Sequence, residues 1–307
     1  MKKLWLLVAL LMCIVLPCLA ETSTTHTSGS FQYKLLEDGT AYITRYNGAN
    51  NILNLPDTLD GHPVSWIGSG AFENCKSLTT IVIPHGVTSI AMNAFRSCSN
   101  LLYVTIPDSV TSIGSGCFSG CTDLVTITIP DSVIDIGHNP FSDCFHLTSI
   151  IVSPEHPVLA TIDGVLFNKT ERSLVAFPNS FSREYTIPQG IQSIEPCAFS
   201  YCTSLSSIVI PDGVTSIGSH AFECCQSLTD VTIPDSVTSI GMNAFASCQS
   251  LTSVTLPASV TSIGMWPFFL CSELSSITVP RDSYAAQYCK DNNLPYTYPD
   301  ANDWLLN

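Results

Sequence analysis

Residues 108–130 read DSVTSIGSGCFSGCTDLVTITIP, and residues 235–257 read DSVTSIGMNAFASCQSLTSVTLP. Both are copies of a 23-residue cassette that recurs along most of the chain. One cysteine keeps its phase: Cys75, Cys98, Cys121 and Cys144 stand 23 apart, as do Cys202, Cys225, Cys248 and Cys271. A fixed period of this size means a stack of supersecondary units, each burying its apolar side only against its neighbours. The architecture is a solenoid, whatever the local propensities say.

Within the copy ending at Pro154 the apolar positions are Val133, Ile136, Phe141, Cys144, Leu147, Ile150 and Val152. Leu147, Ile150 and Val152 have the alternation of a β-strand whose apolar members point into the stack. Val133 to Gly137 makes a second short extended piece. The Phe-x-x-Cys stretch between them has the spacing of one tight helical turn, with Phe as the largest core filler of each coil. Pro84, Pro107, Pro130, Pro211 and Pro234 stop a strand, and the Asp-Ser or Asp-Gly that usually follows makes a turn.

Four copies run from near Val64 to Pro154 and four more from about Gln189 to Pro280. Residues 155–186 depart from the cassette, and the two cysteine series are 58 apart across them, which is not a whole number of repeats. Val165-Leu166-Phe167 and Leu174 to Phe177 flank Asn168 to Arg172 as a hairpin would. The expectation is one enlarged coil that carries the stack onward. Residues 31–63 read as short strands with turns at Asp38-Gly39 and Asn47-Gly48, an N-terminal cap over the first open edge. Residues 281–298 read as a C-terminal helical cap, with Ser283 capping a helix through Tyr284, Ala285, Tyr288 and Cys289. The tail at 299–307 carries no strong signal. About nine coils at roughly 5 Å each make a rod or shallow arc of roughly 45 Å.

The first 20 residues lie outside this scheme. Lys2 and Lys3, the apolar run Leu4 to Leu16 and the small residues at Cys18-Leu19-Ala20 read as a secretory signal peptide cut after Ala20. Pro17 speaks against lipidation of Cys18. Residues 21–30 read as a flexible polar leader. No later stretch is apolar enough to span a membrane. Removing the signal changes the formal charge from −14 to −16, a surface that disfavours nucleic acid and anionic membrane.

Fourteen cysteines in a secreted chain would normally mean a disulfide framework. Here eight share one repeat column, where stacking sets their side chains parallel rather than facing. They read as reduced, buried residues in a small apolar slot. Cys117, Cys197, Cys224 and Cys289 lie outside the column, and a pairing among them stays open. No CxxC pair supports zinc. Asp108, Asp131, Asp212 and Asp235 share a column that could suggest a calcium ladder, but His85, Gln189 and Ala258 break it and turn chemistry explains an Asp there.

The cassette Ile-Pro-Asp-x-Val-Thr-x-Ile-Gly-x-x-Ala-Phe-x-x-Cys-x-x-Leu resembles the BspA-like leucine-rich repeat family. So do the Asp163-Gly164-Val165-Leu166-Phe167 segment and the helix start Ser283-Tyr284-Ala285, and the likeness covers about residues 31–298. It implies an α/β leucine-rich-repeat solenoid, β-dominated, with short helical turns, capped by N-terminal strands and a C-terminal helix. It also implies a secreted or surface protein of bacteria or some protozoa, associated with adhesion and with binding proteins of a host or neighbouring cell. Family members often carry surface anchors or extra domains, and the sequence shows neither.

No catalytic constellation is visible. The seven histidines do not converge and read as scattered surface residues, and there is neither a nucleophile elbow nor a phosphate loop. The reading is therefore no enzyme, no cofactor and no metal. Binding suits a solenoid better, because its strand face is long and continuous. The outward residues of the second half are nearly pure Ser and Thr, which suits a solvated sheet. The first half carries an apolar spot at Leu102, Tyr103, Val125 and Ile151, the candidate contact for an extracellular protein partner. A glycan-binding module would need aromatic platforms, yet Trp66 and Trp266 belong to no aromatic column. A passive spacer is the other alternative.

Overall fold

The computed structural model describes residues 24–299, so the signal peptide expected at 1–20 lies outside the described residues, as does all but the first residue of the tail. Every regular coil has three hydrogen-bonded faces. The first is a row of two-residue parallel strands. Ser112–Ile113 pairs with Ser89–Ile90 on one side and Asp135–Ile136 on the other. In the second half Ser193–Ile194, Ser216–Ile217, Ser239–Ile240 and Ser262–Ile263 continue the pattern. The glycine that follows Ile is needed for close approach: a Cβ on Gly241 would lie 2.3 Å from the Ser219 nitrogen of the preceding coil.

The second face holds the longer strands, grouped in four small parallel sheets rather than one continuous surface. Ile52–Asn54, Thr80–Val82 and Tyr103–Thr105 form one, and Thr126–Ile129 with Ser149–Val152 another. Beyond the insertion, Glu184–Thr186 pairs with Ser207–Val209, and Asp230–Thr232, Ser253–Thr255, Ser276–Thr278 and Tyr296–Thr297 complete the row. The stack therefore has about 11 turns rather than nine. The extra ones come from the cap segments: Ile52–Asn54 and Tyr296–Thr297 each add a rung, because an open ladder edge is satisfied best by another strand.

The third face is the Phe-x-x-Cys row. Its i→i+3 spacing is real, but the backbone is not helical. Ala71 N donates to Gly68 O and Cys75 N to Phe72 O, and the third residues of these turns, Gly70 and Asn74, both have φ of 63°. A left-handed third residue is what a type II β-turn requires. A helix needs no such residue. Consecutive turns leave alternate N–H groups pointing along the stack, so Phe72 N reaches Ala94 O at 2.7 Å and Asn74 N reaches Arg96 O at 2.8 Å in the next coil.

Inside the three faces lies a column of phenyl rings. Phe72, Phe95, Phe118 and Phe141 stack with centroids 5.0, 5.3 and 5.9 Å apart, and Phe199, Phe222, Phe245 and Phe268 at 4.8, 5.0 and 5.8 Å. Seven phenylalanines of these columns rank among the largest fully buried side chains. At about 25 cal/mol per Å² of apolar area, this column and the flanking Val, Ile and Leu positions dominate the burial energy.

Within residues 155–186 one coil does carry the second half onward: Ser173-Leu174 pairs with Ser193-Ile194, Phe177 N donates to Ala198 O at 2.8 Å and Glu184–Thr186 pairs with Ser207–Val209. Leu159–Ile162, Val165–Asn168 and Ser173–Ala176 make an antiparallel three-stranded unit, its first turn carried by Asp163 and Gly164 in left-handed conformations. Neither strand row crosses it by backbone pairing. Its alternating side chains divide the interior: Leu166, Val175 and Ala176 pack with the first core, Val165, Phe167 and Leu174 with the second. The period of two along a strand makes this possible, since one sheet has two faces to bury. Side chains tie the halves together, as Asn139 Nδ2 donates to Cys197 O at 2.7 Å and His138 Nδ1 lies 3.5 Å from Glu195 Oε2.

At the N-terminus, His26–Ser28 pairs antiparallel with Phe31–Leu35, although it falls in the stretch read as a flexible leader. The His26 ring stacks on Tyr33 at 5.2 Å, and Ser28 Oγ donates to Asp60 at 2.7 Å, which order it. At the other end, the helix Tyr284–Asp291 is capped by Ser283, whose hydroxyl accepts from Ala286 N, and it buries Ala285, Ala286 and Cys289.

Candidate functional site

The strand face explains its own Ser and Thr residues. In the column that begins each strand, Thr79 Oγ1 donates to Asn51 O at 2.9 Å, Thr148 to Val125 O at 3.2 Å and Ser206 to Arg183 O at 3.1 Å. Thr229, Thr252 and Ser275 make the same bond one coil back, at 3.4, 3.0 and 3.1 Å. The hydroxyl ladder is thus an inter-coil tie. Two members of the column break it: Leu102 and Val125, in consecutive coils. Each forfeits a hydrogen bond worth about 0.5–1.5 kcal/mol and presents apolar surface to solvent instead.

Tyr103 lies next to Leu102 and is 67% exposed. Its register partner in the preceding coil is Thr80, whose own partner is Ile52, also exposed. Ile151 pairs with Thr128, one coil beyond Val125 and three positions further along the chain in its own coil. Leu102, Tyr103 and Val125 therefore stand together, while Ile151 lies at the edge of the group. Val82 and Ile52 enlarge it in the other direction, so that each of five successive coils carries an outward apolar side chain. Ile52 escaped the sequence reading because it precedes the first recognisable cassette.

A concavity of this face lies elsewhere, in the second half, with a volume of about 750 Å³. Ser207, Val209, Asp230, Thr232, Thr255 and Thr278 line it. Its hydroxyls and the carboxylate of Asp230 stand among apolar side chains, Ile208, Ile233 and Leu256.

The cysteine column also has a role its spacing did not reveal. Cys98 Sγ donates to Phe72 O at 3.0 Å, Cys121 to Phe95 O at 3.2 Å, Cys144 to Phe118 O at 3.2 Å and Cys248 to Phe222 O at 3.1 Å. The slot is apolar on its sides and has an acceptor at its end, which a thiol fits better than Ala would. Burial pushes the Cys117, Cys144 and Cys202 thiols far above the ordinary range, and lifts Cys197 to about 11. All twelve cysteines of the described residues are free, including Cys117, Cys197, Cys224 and Cys289. The column aspartates are accounted for by turns, in which Val110 N donates to Pro107 O and Val133 N to Pro130 O. Among the described residues no group of three or more His, Cys, Asp or Glu is placed to hold a metal ion.

The histidines are dispersed, as the sequence suggested, but His156 is not a surface residue. It is fully buried, and its Nδ1 accepts from Val158 N at 3.2 Å and Leu159 N at 3.0 Å. Desolvation lowers its pKa from the ordinary 6.5. His138 moves the other way, raised by its hydrogen bond to Glu195.

The sequence profile of the BspA type leucine-rich repeat region (6 copies) matches residues 65–183 and 173–293. The chain belongs to the BspA-type leucine-rich-repeat family. No curated protein matches it. Among solved structures, this BspA-type chain is similar to a leucine-rich repeat protein from Eubacterium ventriosum, with 24% identity, TM-score 0.54 and coverage of 83% of this chain and 78% of the other. A leucine rich cell surface protein from Faecalibacterium prausnitzii is 28% identical over 87% of this chain and 97% of its own, with TM-score 0.41. The pneumococcal vaccine antigen PcpA is 18% identical over 84% and 88%, with TM-score 0.48. The Eubacterium structure establishes the same fold. BspA-type membership is consistent with a repeat protein-interaction module.

Proposed function

We propose that this chain is a secreted, non-catalytic, adhesin-like protein that binds an extracellular protein of a host or neighbouring cell. Its contact surface is the outward strand face of the first half, centred on Leu102, Tyr103 and Val125, with Ile52, Val82 and Ile151 around it. The observation that carries this reading is the break in the hydroxyl ladder: six column members tie their coil to the one before, and Leu102 and Val125 give that tie up for exposed apolar surface. Positions where a chain sets aside a local stabilising rule are where function is expected. A large exposed aromatic at the centre of such a patch is the usual anchor of a protein contact. Among the described residues no helix is long and apolar enough to cross a membrane, and the reading of residues 1–20 as a signal peptide supports export.

The test restores the ladder. The double substitution Leu102→Thr/Val125→Thr is expected to stabilise the protein by roughly 1–2 kcal/mol in denaturant unfolding and to abolish capture of matrix or bacterial surface proteins that the unmodified chain retains. Tyr103→Asp should do the second without the first. Undiminished capture by both variants overturns the assignment. The spacer reading is favoured for the second half alone, whose hydroxyls are engaged in holding coils together.

A further inference from the structure

The last regular coil departs from the others on the Phe-x-x-Cys face. Where the preceding coil reads Gly241-Met242-Asn243-Ala244-Phe245-Ala246-Ser247-Cys248, this one reads Gly264-Met265-Trp266-Pro267-Phe268-Phe269-Leu270-Cys271. Trp266 and Leu270 occupy the two turn positions with positive φ, 53° and 58°. Elsewhere those positions hold mostly small or polar residues such as Gly70, Asn74, Asn93, Gly120 and Asn243, with Tyr201 (φ 60°) another large side chain. The last coil is the one that carries large apolar residues at both positions. Met265, Trp266, Phe269 and Leu270 are all exposed, and the Trp266 and Phe269 rings lie 6.4 Å apart.

The backbone of this coil is unfinished in the same place. Asn243, Phe245 and Ser247 donate their N–H groups to Met265 O, Pro267 O and Phe269 O at 3.0, 2.8 and 2.7 Å. The corresponding donors one coil on, the N–H groups of Trp266, Phe268 and Leu270, have no acceptor among the described residues. The row also stops at the insertion, and there a side chain meets the central donor: Asn139 Oδ1 accepts from Phe141 N, and its Nδ2 reaches Cys197 O. Among the described residues the last coil has no such plug. The helix Tyr284–Asp291 covers a different face, with Tyr288 Oη on Gly264 O.

We infer that the edge Met265–Leu270 is a docking site for an extended peptide of a partner protein, which adds to the turn row as one more coil. Three donors at every second residue call for a backbone offering three carbonyls at the same spacing, the principle of strand addition at a sheet edge. The apolar side chains flank that row. A second copy of the chain fits poorly: its own last coil offers the same donors, and at its first coil Ala71 O already accepts from Tyr46 N. This surface is independent of the strand-face site, at the far end of the molecule and on another face.

The probe is a synthetic peptide of residues 241–249, whose Met242, Ala244 and Ala246 carbonyls accept from His220, Phe222 and Cys224 in the native stack. Added to the full chain, it should shift the amide resonances of Trp266, Phe268 and Leu270 and slow their hydrogen exchange at least tenfold. Trp266→Asn/Leu270→Ser, which copies the preceding coil, should weaken peptide binding at least tenfold while raising Tm by on the order of 2 °C as the left-handed strain is relieved. Phe269→Ala, at an ordinary backbone position, should weaken binding without that rise. No response of the three amides to the peptide overturns the proposal, as does a fall in Tm for the double variant. A concentration-dependent dimer in sedimentation that the double variant abolishes assigns the edge to a second copy instead. Peptide binding seen only after removal of residues 300–307 assigns it to the chain's own end. Either result also overturns the partner peptide.

Discussion

At the scale of single residues, the buried column cysteines are hydrogen-bond donors to the Phe carbonyl of the preceding coil. Replacing Cys121 by Ala removes one of the two bonds to Phe95 O, which keeps Cys98 N as donor, and opens a small void. The expected loss is about 1–3 kcal/mol, measurable as a shift in denaturant midpoint at unchanged slope. The same thiols set the alkaline limit of the protein. At Cys121, Cys144 and Cys202 burial holds the folded pKa above the ordinary 9.0, so the unfolded chain releases these protons first. Stability is intact below about pH 9 and declines above it, by about 1.4 kcal/mol per pH unit for each such thiol. Thermal unfolding from pH 7 to 10 under reductant checks this, and the slope should shrink with Cys121→Ala, Cys144→Ala or Cys202→Ala.

His156 sets an acid limit by the opposite sign. Its folded pKa is depressed, so the unfolded chain binds the proton first, and stability falls as the pH drops below about 6.5 toward the folded value. His156→Asn keeps an acceptor for the Val158 and Leu159 amides and removes the titration. The acid slope of Tm between pH 7 and 5 should flatten in that variant. The partly exposed His138–Glu195 pair works against this trend only weakly. Neither the Sγ–H···O bond nor the burial of His156 was legible in the sequence. A residue's spacing reports which column it joins, not which carbonyl its side chain meets or whether an insertion folds over it.

At the scale of elements, the cassette was largely readable. Strand alternation, the Pro-Asp turns and the Ser283 cap follow from local chemistry, and the structure places all three where that chemistry puts them. Ser283→Ala should lower stability by about 1 kcal/mol and raise hydrogen exchange in Tyr284–Asp291 first. The Ile-Gly step is set by distance between coils. Gly241→Val would drive side-chain atoms into the Ser219 backbone and should lower stability by on the order of 2 kcal/mol in urea unfolding. Ala91, at the same step, marks how far that spacing yields. The helical reading of Phe-x-x-Cys failed because i→i+3 contact is common to a helix and to consecutive β-turns. Only the left-handed φ of residues such as Asn74 separates them.

At the scale of the molecule, the insertion turns one expected stack into two cores with a shared wall. Solenoid stability is close to a sum of coil and nearest-neighbour terms, so a weakened interface divides the unfolding. Asn139→Ala removes the ties to Phe141 N and Cys197 O. It should split a single denaturant transition into two, seen as a lower apparent slope and non-coincident fluorescence and circular dichroism curves. The period by itself determined the family, the stacked architecture and the inward and outward sides of every strand, because each follows from contacts repeated 23 residues apart. The tertiary structure decided that residues 155–186 partition the core, that Leu102 and Val125 break a hydrogen-bonded ladder, and that Met265–Leu270 ends the turn row with donors that meet no acceptor among the described residues. These depend on contacts the repeat does not specify: where a neighbour is missing, where a segment folds against two coils at once, and which carbonyl lies within reach of a side chain.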